Sequence, residues 1–355
     1  MDIKQELSKN KVAIDAEIEK YLDRVIEEKA EVDVFAMNAL SFFKKTILAG
    51  GKRIRPIMMC YGYRAAGGKD YEKILKTSVS IELIHAFLLM HDDIIDRDDF
   101  RHGQKTMHAH YRQYNKKFLF NDEADHFGTS IAIILGDLVY ALGNQVLFES
   151  KFDDVLIVRA LNKLQGVVGL TCVGEMQDVH MEYSKNVSEE DVLKMYENKT
   201  ARYTFEGPLH LGAMLAGADD GFCQELSKYA IPLGIAFQIR DDILGVFGDE
   251  KKTGKPVGSD IAEGKKTLLV IKAFENASKE QKKDLKLLLG NKDINEKDVE
   301  KFRQIMVETK ALESVEAYMQ ELVSQAENSL EKISLSDDVK EFFFAVIEYL
   351  NKREK

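Results

Sequence analysis

Apolar residues recur at three- and four-residue spacing along most of the chain, and no clear succession of strictly alternating runs appears, so the pattern predicts successive helices. Only four prolines interrupt it. Ser188-Glu-Glu-Asp191 and Asn295-Glu-Lys-Asp298 carry the cap-then-acid signature of helix starts. Ile81 to His108, with Ile84, Phe87, Leu88 and Ile95 on a helical period, reads as a buried helix that turns acidic at its C-terminal end. Ile131 to Phe148 is the most membrane-like stretch, but Asp137, Asn144 and Gln145 interrupt it, and a buried core helix is the expectation. Polar stretches break the rhythm at Tyr111–Asp125, a cover over the first acidic helix or a solvated connection, and at Gly248–Gly264, a Gly- and Lys-rich lid. No short repeat or low-complexity linker divides the chain, so one all-α domain over residues 1–355 is expected.

Composition narrows this picture. A chain that is 45% hydrophobic and 31% charged suits a soluble protein with a sizeable core. Its net charge of -10 argues against nucleic-acid binding, so an anionic ligand must meet a local basic site or bring its own cation. The N-terminus has neither an apolar signal core nor an Arg-rich, acid-poor transit character, which makes cytoplasmic the expected location, with no transmembrane segment. Cys60, Cys172 and Cys223 lack metal-site spacing and read as small buried residues.

Asp92, Asp93 and Asp96 crowd one side of the helix end. Like charges one turn apart repel, and they sit where the helix dipole is already negative. A hard cation such as Mg²⁺ relieves that conflict. Acidic pairs also occur at Asp98, Asp153, Asp219 and Asp337. The copy Asp337-Asp338-x-x-Glu341 opens the last helix, where acid is an ordinary first-turn choice. Asp241 and Asp242 differ from these, because they again end an apolar helical run, Phe237 to Phe247. A third stretch, Gly50-Gly51-Lys52-Arg53-Ile54-Arg55-Pro56, offers flexible backbone and forked cationic donors suited to phosphate oxygens. The three together describe a pocket for diphosphates. Thr253-Gly254-Lys255 does not make a P-loop, since the glycine spacing is wrong and Pro256 stands where Ser or Thr is needed.

GGKRIRP, HDDIIDRDDFRHG and FQIRDDILGVFGDEKKTGKPVGSDIAEGKKT, in this order, resemble the trans-isoprenyl diphosphate synthases, or polyprenyl synthetases, across about residues 42–269. The resemblance implies an isoprenoid-synthase-like helical bundle around a central cavity. It also implies condensation of isopentenyl diphosphate with an allylic diphosphate, Mg²⁺ as cofactor, and a homodimer.

By matching motif positions, Asp92, Asp93, Asp96, Asp241 and Asp242 would bind or orient Mg²⁺, Arg101, Lys199 and Lys255 would serve the allylic diphosphate, and Lys265 would be a further substrate-binding residue. Lys52, Arg55 and His85 would hold isopentenyl diphosphate, with His102 at a further contact to it, Arg53 would be a substrate-binding residue, and Thr200 and Gln238 would face the developing carbocation. Three departures stand out: His102 where Arg is common, Glu175 where Gln is common, and Gly245 where many relatives have a third Asp. Phe87, five residues before Asp92 and about 7 Å along the helix, would floor the growing chain and implies a C20 product, with C15 or longer as alternatives. A terpene cyclase needs no basic loop of the GGKRIRP type, and a non-catalytic partner subunit would be expected to have lost an acidic cluster. Both features are present.

Overall fold

The computed structural model describes residues 1–28, 31–119, 122–248 and 258–351. They group into two compact units, Asp2–Leu161 and Asn162–Lys355, with Met1 counted in the second. Apart from one two-residue hairpin, the regular structure of the described residues is helical.

The first unit begins with α1 (Ile3–Glu28), whose buried stripe Leu7, Ile14, Ile18, Leu22 and Val25 follows a helical period. Then come α2 (Val34–Leu48), α3 (Ile54–Ala65) and α4 (Tyr71–Ile95). Buried residues run almost continuously from Ile74 to Ile84, so α4 is enclosed on all sides over that half and has no polar face to reveal it as amphipathic. Strands β1 (Phe100–Arg101) and β2 (Gln104–Lys105) pair antiparallel, Phe100 with Lys105 and Arg101 with Gln104. His102 and Gly103 turn the hairpin with φ of 50° and 73°, the left-handed pair that a two-residue turn between twisted strands requires.

The stretch expected as a polar connection is largely wound. Met107–Tyr114 is α5 and Asn115–Leu119 a π-helical turn. Phe35 on α2 packs edge-on against Tyr111 and Tyr114, with ring centroids 5.6 and 5.8 Å apart. That aromatic cover is contributed from elsewhere in the chain and orders a segment whose own sequence looks solvated. Next, α6 (Ala124–Phe148) packs on α4. It is not the buried core helix expected, because Ile133, Ile134 and Phe148 are exposed. By length and composition α4, α6 and α7 (Asp154–Tyr183) are each apolar enough to cross a membrane.

In the second unit, α8 (Glu189–Tyr196) starts on the capping box of Ser188 and Asp191. It runs into a ten-residue π-helix, Glu197–Glu206, before α9 (Gly207–Leu215). Helix α10 (Asp220–Phe247) is the spine of this unit, and short α11 (Ser259–Glu263) and α12 (Leu268–Asn276) follow. Then come α13 (Lys279–Leu288), α14 (Glu296–Glu308), which starts on the predicted Asn295/Asp298 box, α15 (Ala311–Lys332) and α16 (Asp337–Asn351). Asp337 and Asp338 lie in the first turn of α16, as the sequence predicts. Its apolar face presents Phe343 to Tyr229 of α10, whose hydroxyl donates to the Phe343 carbonyl at 3.2 Å. Cys60 and Cys223 are buried, whereas Cys172 is exposed, against expectation, because it lies on the outer face of α7.

Candidate active site

In the first unit, the GGKRIRP loop folds around its own central arginine. Arg53 has φ of 55° and caps α3. Its Nε donates to Asp15 at 2.6 Å, one Nη donates to Glu82 at 2.7 Å, and the other donates to the Ile47 carbonyl. Arg53 is therefore a buried clamp on α1 and α4, not an open phosphate donor. Gly51 has no Cβ to collide with that guanidinium, which would lie 2.5 Å away, and a Cβ on Gly50 would fall 2.4 Å from the His102 ring. The two glycines let the loop close on both.

Lys52 is exposed and Arg55 half-buried. Arg55 Nη1 lies 3.0 Å from His85 Nε2. A guanidinium can only donate, so His85 accepts through Nε2 and carries its proton on Nδ1. Burial, then the charges of Arg55 and Arg101, hold His85 well below its usual range, so it is neutral. Burial and the same kind of cationic neighbours, Arg101 and Arg53, also depress His102.

The hairpin returns Arg101 to the end of α4. Its Nε and Nη2 reach one oxygen of Asp93 at 2.7 and 2.6 Å, and Nη2 stands 3.6 Å from Asp92. Asp93 is buried, and burial raises it to about 6 despite the pull of Arg101. The three acids thus do not share one open face. Asp93 turns inward to Arg101, while Asp92 and Asp96 remain half-exposed, Asp96 capping α4 through its N–H to the Asp92 carbonyl at 2.8 Å. Gly50, His85, Asp93, Arg101 and His102 line a cavity of about 100 Å³. Phe87 is half-buried, its ring 5.0 Å from Tyr140 of α6 and 4.8 Å from His91.

In the second unit, Lys199 and Thr200 lie on the π-helix. A Cβ on Gly174 of α7 would meet the Lys199 backbone at 2.5 Å, so only glycine allows this approach. Lys199 Nζ is held by Asp178 at 2.6 Å and Glu175 at 2.8 Å. Lys265 reaches Glu182 at 2.8 Å and Asp178 at 3.5 Å. Burial works to raise Asp178, but the two lysines outweigh it and hold the carboxyl below its usual range.

Asp242 is buried and Asp241 half-exposed at the end of α10. Asp242 accepts from the Tyr196 hydroxyl and, at 2.8 Å, from Gln238 Nε2; Gln238 Oε1 accepts from Thr200 at 2.6 Å. Burial keeps Asp242 far above the ordinary carboxyl range. A Cβ on Gly245 would fall 2.1 Å from the Asp260 carboxylate. The space above Gly245 is therefore taken by an acid from α11. Lys255 lies outside the described residues.

Tyr196 and Asp260 escaped the sequence reading. Tyr196 carries no local signal beyond its place one helical turn before Thr200, and Asp260 none within Gly258-Ser-Asp-Ile261.

Asp92, Asp96 and Asp241 are hard oxygen donors. Among the described residues no three His, Cys, Asp or Glu side chains close into a cage. In each unit taken by itself, such oxygen donors fit a divalent cation that completes its shell with substrate oxygens and water, and suit a soft thiophilic ion poorly.

The polyprenyl synthetase family model matches residues 38–306. The geranylgeranyl diphosphate synthase of Saccharolobus solfataricus is 36% identical over 73% of each chain. A geranylgeranyl pyrophosphate synthase of Corynebacterium glutamicum, solved with isoprenyl diphosphate and magnesium, is 32% identical, with a TM-score of 0.92 over 98% of this chain and 99% of that one. A polyprenyl synthase of Caulobacter crescentus, solved with calcium and isoprenyl diphosphate, is 25% identical, with a TM-score of 0.79 over 98% of each. Both solved relatives thus contain a divalent metal and isoprenyl diphosphate. On this likeness the chain belongs to the polyprenyl synthetase family, as a trans-prenyltransferase of the short-chain isoprenyl diphosphate synthase type.

Proposed function

We propose that the chain condenses isopentenyl diphosphate with allylic diphosphates in the presence of Mg²⁺ and releases geranylgeranyl diphosphate in the cytoplasm. The observation that carries this reading is the small cavity where the basic loop, His85, Arg101 and His102 meet the buried end of α4. Lys52, Arg55 and neutral His85 hold isopentenyl diphosphate, His102 adds a contact, and Arg53 keeps the loop in place. In the first unit Asp92 and Asp96 would hold Mg²⁺, with Arg101 to neutralise diphosphate oxygens; in the second unit Asp241 would do the same, with Lys199, Lys265 and Lys255 as the cationic side chains.

Bound Mg²⁺ supplies Lewis-acid stabilisation of the departing pyrophosphate. Asp93 orients Arg101 towards that charge, and Thr200 and Gln238 turn oxygen dipoles to the allylic cation. The π-bond of isopentenyl diphosphate forms the new carbon–carbon bond, and the proton then lost passes to the pyrophosphate.

The test is incubation with isopentenyl diphosphate and dimethylallyl, geranyl or farnesyl diphosphate, with and without Mg²⁺, followed by mass analysis. Metal-dependent elongation to C20 is expected. A folded protein that elongates no primer would instead be a non-catalytic partner subunit.

Phe87, wedged between Tyr140 and His91, supports the C20 limit. Phe87→Ala is expected to lengthen the product by one or more isoprene units, and an active variant with an unchanged product would exclude Phe87 as the floor. His102 yields a second expectation. Its depressed titration leaves it uncharged at neutral pH, so affinity for isopentenyl diphosphate strengthens as pH falls and His102 gains its proton. His102→Arg should lower the KM for isopentenyl diphosphate about fivefold, for a charge-assisted hydrogen bond worth about 1 kcal/mol, and flatten that pH dependence. An unchanged KM would remove His102 from the site.

We also propose a homodimer. Val155, Val158, Gly166, Gly169, Val173 and Met176 form an exposed row along α7, and a Cβ at either glycine would meet nothing within 4 Å. Such a row, apolar and open at its centre, suits close approach of a second copy of the same helix. Light scattering should give twice the chain mass of 40.3 kDa. Val158→Glu should yield a monomer, whereas a monomeric wild type that sediments with lipid vesicles would mean that the row meets a membrane.

A further inference from the structure

The hairpin that carries Arg101 has two residues in each strand, and its Phe100 is exposed. A ribbon that short does not hold its own place in water. Its foot is closed by the Thr106 N–H, which donates to the Asp99 carbonyl at 3.1 Å. From that foot the Asp99 side chain reaches α5: Oδ2 accepts from Arg112 Nη2, and Oδ1 stands 3.5 Å from His108 Nε2. Burial, against the pull of Asp99, holds the buried His108 below its usual range, so it is neutral. A carboxylate oxygen only accepts, so Nε2 carries the proton and Nδ1 is left to accept from the Thr106 hydroxyl at 3.3 Å. Thr106 is the N-cap of α5 but does not cap it with its side chain; the hydroxyl is spent on the foot of the hairpin instead. An exposed bond from Lys105 to Gln113 runs alongside.

Helix α5 is in turn seated on α6. A Cβ on Gly128 of α6 would fall 2.4 Å from the His108 carbonyl oxygen and 2.7 Å from the Arg112 nitrogen, an approach that only glycine allows. Arg112 also reaches Asp125, in the first turn of α6, at 3.5 Å. At the far end of the hairpin, Arg101 meets Asp93 and Asp92 of α4. One line of contacts thus runs from α6 through α5 and Asp99 to the hairpin and Arg101, all within the first unit.

We infer that Asp99 and Arg112 are positioning residues, whose ion pair ties the foot of the hairpin to α5 and fixes where Arg101 and His102 stand when a diphosphate binds. The inference rests on the prenyl-transfer reading and deepens it. The tether matters most once substrate is present. Arg101 is then shared between Asp93 and diphosphate oxygens, and the grip that holds the hairpin to α4 in the free protein weakens. The Asp99–Arg112 pair uses neither Asp92 nor Asp93, so it is not drawn into that exchange. Its side chains are 44% and 29% exposed, and an ion pair that open contributes little to folding. Its loss should therefore show in the placement of Arg101 and His102 and not in the melt, because catalysis is sensitive to small displacements of a charge-bearing group.

The test takes Asp99→Ala, Arg112→Ala and the double variant through two readouts. In steady-state elongation at saturating Mg²⁺, each single variant should lose about ten- to a hundredfold in kcat, the scale of an ångström-sized misplacement, with the thermal melt little changed. The double variant should be no worse than either single, since each removes the same tie. Asp99→Glu, which keeps a carboxylate within reach of Arg112, should retain most of the activity. The second readout needs no turnover. In protein labelled at histidine, the His102 resonance, identified by its loss in His102→Gln, titrates below the ordinary range in wild type, because burial, Arg101 and Arg53 depress it. In D99A and R112A it should move up towards that range as the hairpin comes away from those neighbours. Should D99A not fold, Arg112→Gln carries the same two readouts. A His102 titration unchanged from wild type, or kcat losses that multiply in the double variant, would overturn the tether. A wild type that elongates no primer would instead sink the prenyl-transfer reading, and His102 would still report on the tether.

Discussion

Asp92→Ala lowers kcat by about a thousandfold or more, the scale of losing a group that stabilises developing charge, yet leaves the fold intact and slightly more stable. The two halves of this expectation have one cause. Asp92 is half-exposed at the negative end of α4, and it stands 3.6 Å from Arg101, whose short contacts are with Asp93. Its charge opposes the helix dipole, and removing it should relieve about 0.3–1 kcal/mol. Activity and stability therefore move in opposite directions, which a merely structural acid would not produce. Steady-state rates at saturating Mg²⁺ and a thermal melt of the same sample are the measurements. An Asp92→Ala protein within tenfold of wild-type kcat, or one that melts well below wild type, would refute this account of the position.

Arg53→Ala should have the largest effect on stability, about 3–5 kcal/mol, because it strands buried partners without their counter-charge. Arg53 and Glu82 are both nearly fully enclosed, with side-chain exposures of 3% and 5%, and Asp15 completes the clamp. Urea unfolding of R53A is the measurement. An Arg53→Met, Glu82→Met double variant should recover much of the loss, since an apolar pair of similar volume carries no desolvation penalty. A single-variant loss below about 1 kcal/mol would mean that the clamp contributes no more than a surface ion pair.

The parts of this molecule that were legible in the sequence are those governed by local rules. The caps at Ser188 and Asn295 and the acidic first turn of α16 depend on groups three or four residues apart, and the structure contains them as read. The acidic end of α4 was legible because the carboxylates contradict the dipole of their own helix. What stayed hidden depends on distant partners. Nothing near Arg53 announces that Asp15 and Glu82 will enclose it. Nothing in Tyr111–Asp125 announces that Phe35 will cover it. Cys172 and α6 were read as buried because an apolar pattern reports that a face seeks cover without saying what provides it. The three acids of α4 were read as one open face, but Arg101 on the hairpin draws Asp93 inward. Asp260 takes the space above Gly245 from a separate helix, which no spacing rule relates to the Asp pair of α10.

The ten-residue π-helix at Glu197–Glu206 bears on how such a site could arise. Each of its hydrogen bonds spans one residue more than an α-turn, which is what a helix does when it absorbs an inserted residue without breaking. Lys199 and Thr200 both lie on it, so where their side chains point depends on a single position of register. Deleting one residue would let the winding return to the α form, at lower backbone cost, and would swing Lys199 or Thr200 away from its partners on α7 and α10. An indel, not a point substitution, is thus the smallest change that would part Lys199 and Thr200 from those partners together.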